Sequence, residues 1–283
     1  LKLLGKRIIA MPFGGDVVVP SDSRELTVKF AWLRSYSYYN EPAVVDLVRR
    51  QVRYFNRYAD VIISSQDMGP DYLPRNDYLL HCHFAIDEQM WAPTFGPCRK
   101  VGEPFRVLHA PNQSLIKGTQ FLIQAVEQLK AEGLNIQLVL HQRVPNAELR
   151  RIMADCHVVA DQFVLGMYAM TALEGMASGK PVLCYLREDL VRLHALYGYE
   201  SACPIVNTSI EKIAENLRWL YHHPEECERI GRQGREYIEH YNSLEGFGGF
   251  LKGVVTALWS DTTFDAEAYW HTRAAVNRVP GTG

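Results

Sequence analysis

Leu108-His-Ala-Pro-Asn-Gln-Ser-Leu-Ile-Lys117-Gly118-Thr119 runs from the end of an apolar strand through a polar loop to the opening of a helix. Residues 105–108 before it form the strand, and after it Phe121, Leu122, Ala125, Val126 and Leu129 share one helical face. A strand, loop and helix in this order make half of a βαβ unit. The alternation continues with strands predicted at residues 136–140, 157–160, 181–184 and 205–206, each pair spaced to admit a helix. Pro224-Glu225-Glu226 reads as a further helix start, since Pro is tolerated in a first turn and carboxylates suit the positive end of the dipole. A last helix is predicted over residues 244–259, and no period is visible after Thr272. The fold class is therefore α/β.

Toward the N-terminus the same grammar is shorter. Residues 8–11 read as a buried strand ending in Pro12-Phe13-Gly14-Gly15-Asp16, whose paired glycines allow a ligand to approach the backbone. Val44, Leu47, Val48, Val52 and Phe55 fall at helical spacing, followed by apolar runs at 61–64 and 78–80. Between about 86 and 104 the pattern lapses into a Pro- and Gly-rich stretch, where a domain boundary is expected. The expected division is 1–97, 98–243 and a C-terminal segment 244–283.

Composition limits the function classes. The 283 residues exceed the usual ~100–200 of one domain. With 47% hydrophobic and 22% charged residues, the chain has the balance of an ordinary globular protein. Thirty Lys and Arg against thirty-two Asp and Glu give a net charge of -2, so no general excess of positive charge exists to hold nucleic acid. The longest charge-free apolar stretch, 162–173, is far short of the ~20 residues a membrane-spanning helix needs. Six cysteines without a C-x-x-C pair read as reduced thiols, which suits a cytoplasmic protein. The start, Leu1-Lys-Leu-Leu-Gly-Lys-Arg, has no signal-peptide pattern and no initiator Met, so the chain is expected to begin inside a longer protein.

Two segments carry candidate chemistry. Lys117 and Gly118 stand where one fixed positive charge and helix-terminal amides favour a phosphate, although a solvated first-turn lysine is the alternative that Lys-Gly alone leaves open. The second is Gly166-Met167-Tyr168-Ala169-Met170-Thr171-Ala-Leu-Glu174-Gly-Met-Ala-Ser-Gly179-Lys-Pro-Val, in which a carboxylate opens a small-residue helix. A lone Glu among Ala, Leu, Gly and Met is costly to desolvate unless it accepts hydrogen bonds, and a ribose diol supplies two hydroxyl donors. Asp16 is open between a ligand contact and an Asx turn cap.

Taken together, the Lys117-Gly118-Thr119 loop, Ala154-Asp155-Cys-His-Val-Val-Ala-Asp161-Gln162 and Ala172-Leu-Glu174-Gly-Met-Ala-Ser-Gly179-Lys-Pro181-Val resemble the nucleotide-sugar glycosyltransferases of the GT-B fold, of the retaining family 4 type. The resemblance covers roughly 105–241. It implies two Rossmann-like domains facing across a cleft, the first of them incomplete here by roughly a hundred residues, with the segment after 244 crossing back onto it. Glycosyl transfer with retention of configuration is the implied activity. It implies that Lys117 binds the donor diphosphate and Glu174 the donor ribose, with Asn112, Gly118 and Gly166 to Thr171 around them. Phe13, Gly14, Gly15 and Asp16 would form the acceptor-side loop, with Asp16 a catalytic candidate beside Lys117.

Two departures stand out, because the family pattern has a Glu eight residues before Glu174 and an Arg five before the lysine, where this chain has Gly166 and Asn112. A different donor sugar, a compensating residue elsewhere and reduced activity all remain open. The alternative function is accordingly a catalytically impaired nucleotide-sugar-binding or scaffold protein. No Asp-x-Asp pattern occurs, so neither metal nor other cofactor is expected beyond the nucleotide-diphosphate sugar itself. His81-Cys82-His83 is the weak metal candidate. The expected acceptor is a glycan, a lipid-linked molecule or a small molecule. Arg49, Arg50, Arg53 and Arg57 stripe one helix, either as a solvated face or as a contact with anionic lipid at the inner face of a membrane.

Overall fold

A computed structural model describes residues 2–35, 40–80, 82, 84–95, 102–196 and 203–277. His81 and His83 of the metal candidate, and Cys98, lie outside the described residues. The chain divides into two compact units. Unit 1 comprises Leu1–Ala85, Glu188–Glu200 and Glu245–Gly283, and unit 2 comprises Ile86–Arg187 and Ser201–Leu244.

Unit 1 holds β1 (Ile9–Ala10), α1 (Leu26–Ser35), α2 (Pro42–Tyr58), β2 (Val61–Ser65), α3 (Gly69–Tyr72) and β3 (Tyr78–Leu80). The three strands pair in parallel in the order β1-β2-β3, with Ile9 opposite Val61 and Ile63 opposite Tyr78. Asp60 and Asp77 bracket β2. Their carboxylates accept the Ile8 and Ile62 amides, each at 2.7 Å.

Unit 2 runs β4 (Phe105–His109), α4 (Ser114–Lys117), α5 (Thr119–Ala131), β5 (Ile136–Leu140), α6 (Asn146–Ala154), β6 (Val158–Ala160), α7 (Met170–Ala177) and β7 (Val182–Cys184). Here α8 (Glu188–Leu196) leaves for unit 1, and β8 (Val206–Asn207), α9 (Ile213–His222) and α10 (Pro224–Tyr237) complete unit 2. Its five strands are all parallel, in the order β5-β4-β6-β7-β8. β6 and β7 are apolar and buried on both faces, and with β4 they bring Val107, Val158, Ala160 and Leu183 to full burial between helices, while the edge strands β5 and β8 are partly exposed. The inward stripe of α5 (Leu122, Ala125, Val126, Leu129) and that of α9 (Ile213, Leu217, Leu220) form one core with them. Burial pushes the Cys156 thiol up to about 12, so it stays a thiol at neutral pH.

The contacts start unit 2 at Ile86, at the beginning of the lapse in pattern and earlier than the expected division at 98. Ile86 bridges to Ser243, and Arg235 of α10 donates to the carbonyls of Glu88, Trp91 and Ala177, which binds the segment after Ile86 to this unit. The chain then enters α11 (Leu244–Trp259) and α12 (Ala266–Asn277), which pack in unit 1. Trp270 stacks on Phe250 at 5.8 Å, and Phe250 meets Tyr78 edge-on at 5.6 Å. That aromatic cluster explains a helix the sequence does not announce. α12 is held by Tyr269 and Trp270 rather than by a repeating stripe, so no period is visible after Thr272. Among the described residues, no helix is long and apolar enough to cross a membrane.

Candidate functional site

The strand order of unit 2 reverses between β4 and β6. The chain passes from β4 outward to β5, then returns to pair β6 on the other side of β4. In open parallel sheets, loops leaving two strands at such a point diverge and leave a crevice beyond their carboxyl ends. The candidate residues gather there. His109 ends β4, Lys117 ends α4 in the loop that follows, and Asp161 directly follows β6.

Lys117 is not a solvated lysine. It is 7% exposed, and its Nζ lies 2.5 Å from Oδ1 of Asp161, itself 2% exposed. The local chain explains why it turns inward. Four residues of α4 end at Gly118, whose φ of +72° lets the backbone reverse directly into α5, and a Cβ there would meet Phe163 at 3.2 Å. The lysine therefore closes one short helix rather than opening the longer one, which starts at Thr119. Asn112, five residues earlier, is exposed in the loop before α4.

Asp161 joins two loops. Its second oxygen, Oδ2, accepts the amide of Ala169 at 2.9 Å, the residue that caps α7. Its own amide donates to Leu183 of β7, which fixes its place in the sheet. His109 is fully buried beside it. Nδ1 lies 2.8 Å from the Ala160 carbonyl and Nε2 2.8 Å from the Thr119 hydroxyl. A carbonyl only accepts, so Nδ1 carries the proton and Nε2 accepts the Thr119 hydroxyl hydrogen. Burial holds the His109 pKa below its ordinary value, which keeps the ring neutral.

Glu174 sits in the second turn of α7, which begins at Met170, so the carboxylate does not open the helix as its sequence context suggested. It is 7% exposed. Burial, reinforced by the charge of Asp161, pushes its pKa up to about 7, while Arg150 and Lys117 pull the other way. Lys117, Asp161 and Glu174 thus act on one another within one unit. Gln162, next to Asp161, is also buried, and its Oε1 has no hydrogen-bond partner.

The segment from Gly166 to Thr171 divides by burial. Met167 and Tyr168 are core residues, with the Tyr168 hydroxyl 3.2 Å from that of Tyr237. Ala169 offers its amide to Asp161, Met170 is exposed and Thr171 is half-buried. Gly166 has a φ of +80°, and a Cβ built there would stand 2.2 Å from Cγ of Arg187, whose amide donates to the Gly166 carbonyl at 2.8 Å. Position 166 has no room for a side chain while the Arg187 stem lies over it. The departure from the family pattern therefore has a local steric counterpart.

The family model described as glycosyl transferases group 1 matches residues 105–237, from β4 to the end of α10. The matched residues lie almost wholly within unit 2. Among solved structures, the chain is similar to HepE from Anabaena in complex with UDP, at 14% identity and a TM-score of 0.61, covering 90% of this chain and 74% of that one. The same protein with UDP-glucose gives 0.59 at 14% identity, with coverages of 90% and 74%. Sucrose-phosphate synthase from Thermosynechococcus elongatus follows at 0.55 and 14% identity, covering 80% of this chain and 65% of the other. The chain thus spans just under two thirds of that synthase. The likenesses are of fold, and the fold is GT-B. No curated protein sequence matches the chain.

The loop Phe13 to Asp16 belongs to unit 1. Gly14–Asp16 forms a single tight turn, and Asp16 Oδ2 accepts the Phe13 amide at a long 3.4 Å. Asp16 thus bonds back to the start of the turn, as a capping-box acid does, and not forward as the expected Asx cap would. Phe13 is exposed, with its ring edge-on to Phe84 at 5.2 Å. In the sequence Asp161 is only the end of a strand motif, and nothing there singles out His109, Thr119 or Arg150. The signal for Asp161 was its position, an acid directly after the fully apolar run 158–160, at the carboxyl end of a predicted parallel strand.

Proposed function

We propose that this protein transfers a sugar from a nucleoside-diphosphate sugar, and that Lys117 and the amides at the start of α5 and α7 bind the diphosphate. Negative charge that builds on the leaving diphosphate would then meet donors already in position. Glu174 is assigned to the ribose diol, because a buried carboxylate with a raised pKa gains most from two hydroxyl donors. The observation that carries this reading is the burial of Lys117 and Glu174 in one unit, coupled through Asp161, beyond the strands where the order reverses. Uridine is the first base to test, because HepE has been seen with UDP and with UDP-glucose.

The finer parts belong to the same proposal. Transfer proceeds with retention, and Phe13 to Asp16 serve a glycan, lipid-linked or small-molecule acceptor. No metal is required, since Lys117 and the amides carry the neutralising charge, so a chelator leaves transfer unchanged. A peripheral contact with the inner face of a membrane is supported by α2. There Leu47, Tyr54 and Tyr58 are exposed along one face with Arg50, Arg53 and Arg57, while Arg49 is engaged by Asp22 at 3.0 Å.

A thermal-shift panel with UDP, GDP, ADP, TDP and CMP tests the donor class. A ligand at ~100 times its dissociation constant adds about 2.7 kcal/mol to stability. A clear rise with one nucleoside diphosphate supports the reading, and no rise with any of them at millimolar concentration overturns it.

A further inference from the structure

The cation of the proposed donor site is not held by its own helix. Within α4, Lys117 follows Ile116 and precedes a left-handed glycine, and the side-chain contact that fixes its ammonium comes from Asp161, 44 residues further along the chain. The same carboxylate, through its other oxygen, holds the amide that caps α7. We propose that Asp161 is the positioning residue of the donor site, locking Lys117 and the N-terminus of α7 into one preassembled cradle for a diphosphate. The inference rests on the donor-site reading above and adds to it a residue that touches neither sugar nor phosphate.

Three observations support it. First, Asp161 is anchored independently of both partners, because its amide is tied to Leu183 of β7 at 2.9 Å. A residue tied to the end of the sheet in this way is what a positioning role requires. Second, the ammonium has three N–H donors and Asp161 takes one, so the pair directs the remaining donors without consuming them. Third, a buried ion pair is by itself a poor source of stability, because desolvation offsets much of the attraction. A pair that also divides its two oxygens between two loops of one crevice has a function to explain its retention. Among the described residues, the charged and titratable groups that act on this centre include Glu174 of α7, Arg150 of α6, His109 of β4 and Cys184 of β7, and all belong to unit 2.

Asp161→Asn keeps an oxygen for the Ala169 amide but removes the charge facing Lys117. Calorimetric titration with UDP is expected to show affinity reduced on the order of tenfold. The same substitution made in a Lys117→Met background is expected to cost nothing further, because Asp161 acts through the lysine. The pH dependence of UDP binding should move as well. With the Asp161 charge gone, Glu174 ionises at lower pH, and the limb it causes shifts to lower pH; the double-variant cycle is the readout that separates positioning from a structural role. If Asp161→Asn does not fold, Asp161→Glu keeps the charge on a longer stem and is expected to bind UDP more weakly while folding. Wild-type affinity in Asp161→Asn or Asp161→Glu, or additive losses in the double variant, overturns the inference and leaves the donor site standing. Failure of the wild-type protein to bind any nucleoside diphosphate overturns the donor site, and the inference with it.

Discussion

Lys117 Nζ stands 2.5 Å from Asp161 Oδ1, with the two side chains 8% and 0% exposed. A pair this buried behaves asymmetrically. Removing one member leaves a bare charge in a low-dielectric site, at a cost of about 3–5 kcal/mol, whereas neutralising both is far milder. Lys117→Ala is therefore expected to lose transfer activity by at least ~100-fold, as loss of a diphosphate-stabilising donor does. It should also lower the urea midpoint. Lys117→Met combined with Asp161→Asn should recover most of the midpoint and none of the activity. Near-normal transfer by Lys117→Ala, measured as product formed from a UDP-sugar, would remove the lysine from the mechanism.

Glu174 gives the opposite pH signature to an ordinary surface acid. Its folded pKa is raised to about 7, chiefly by burial, so the native state prefers the protonated carboxyl. Its contribution to stability is complete below the unfolded value near 4.5 and is lost as pH rises through about 7. Glu174→Gln cannot ionise, so its stability relative to wild type should grow between these limits, reaching roughly 3 kcal/mol at pH 8 as an order of magnitude. If Glu174 takes the ribose as proposed, UDP affinity should move the other way and fall about tenfold in the variant above pH 7, where the wild-type carboxylate would accept the ribose hydroxyls. Denaturation curves of the two proteins that stay parallel from pH 4.5 to 8 would refute the burial argument.

Most of unit 2 was legible because its strands are short apolar runs and its helices carry clear inward stripes. Residues 136–140 and the α5 face Leu122, Ala125, Val126 and Leu129 are examples. The positions of Lys117 and Glu174 were legible as residue types in a pattern. Their local settings were not. Nothing in Lys-Gly shows that the lysine closes a four-residue helix and turns inward, because the partner that turns it lies 44 positions away. Likewise, the small-residue run 171–178 reads as a helix and α7 is found at Met170–Ala177, but nothing in that run shows that Ala169 at its start is held by Asp161. Long-range polar contacts of this kind have no sequence period, and neither has the aromatic packing that holds α12.

Gly166 ties backbone conformation to the donor loop. At φ +80° a non-glycine residue is strained, and a Cβ there overlaps the Arg187 stem at 2.2 Å. Gly166→Ala is expected to cost about 1–3 kcal/mol. Trimming the obstacle with Arg187→Ala should relieve the steric part but not the conformational part, so the double variant should be more stable than additivity predicts yet still below Arg187→Ala alone. Melting temperatures of the four proteins in the cycle test this. Strict additivity would mean that the arginine stem moves aside freely, and the steric account of position 166 would fail.

His109 supplies the acid-side counterpart of Glu174. Burial is the main cause that depresses its pKa, and Lys117 adds to it, against the Ala160 carbonyl and Asp161. The folded protein therefore resists a proton that the unfolded chain accepts near 6.5. The contribution of a depressed histidine is present above the unfolded value and is lost as pH falls through the folded one. Acidification must break either the Nε2 contact with Thr119 or the neutrality of the ring, and both lie at the junction of β4, β6 and α5. His109→Gln can still donate toward Ala160 and cannot be protonated. It should be less stable than wild type at pH 8, through imperfect packing, and lose less stability between pH 6.5 and 5. Urea midpoints of both proteins across that range decide it, and a variant whose midpoint falls as steeply as that of the wild type would show that the imidazole is not the group that titrates.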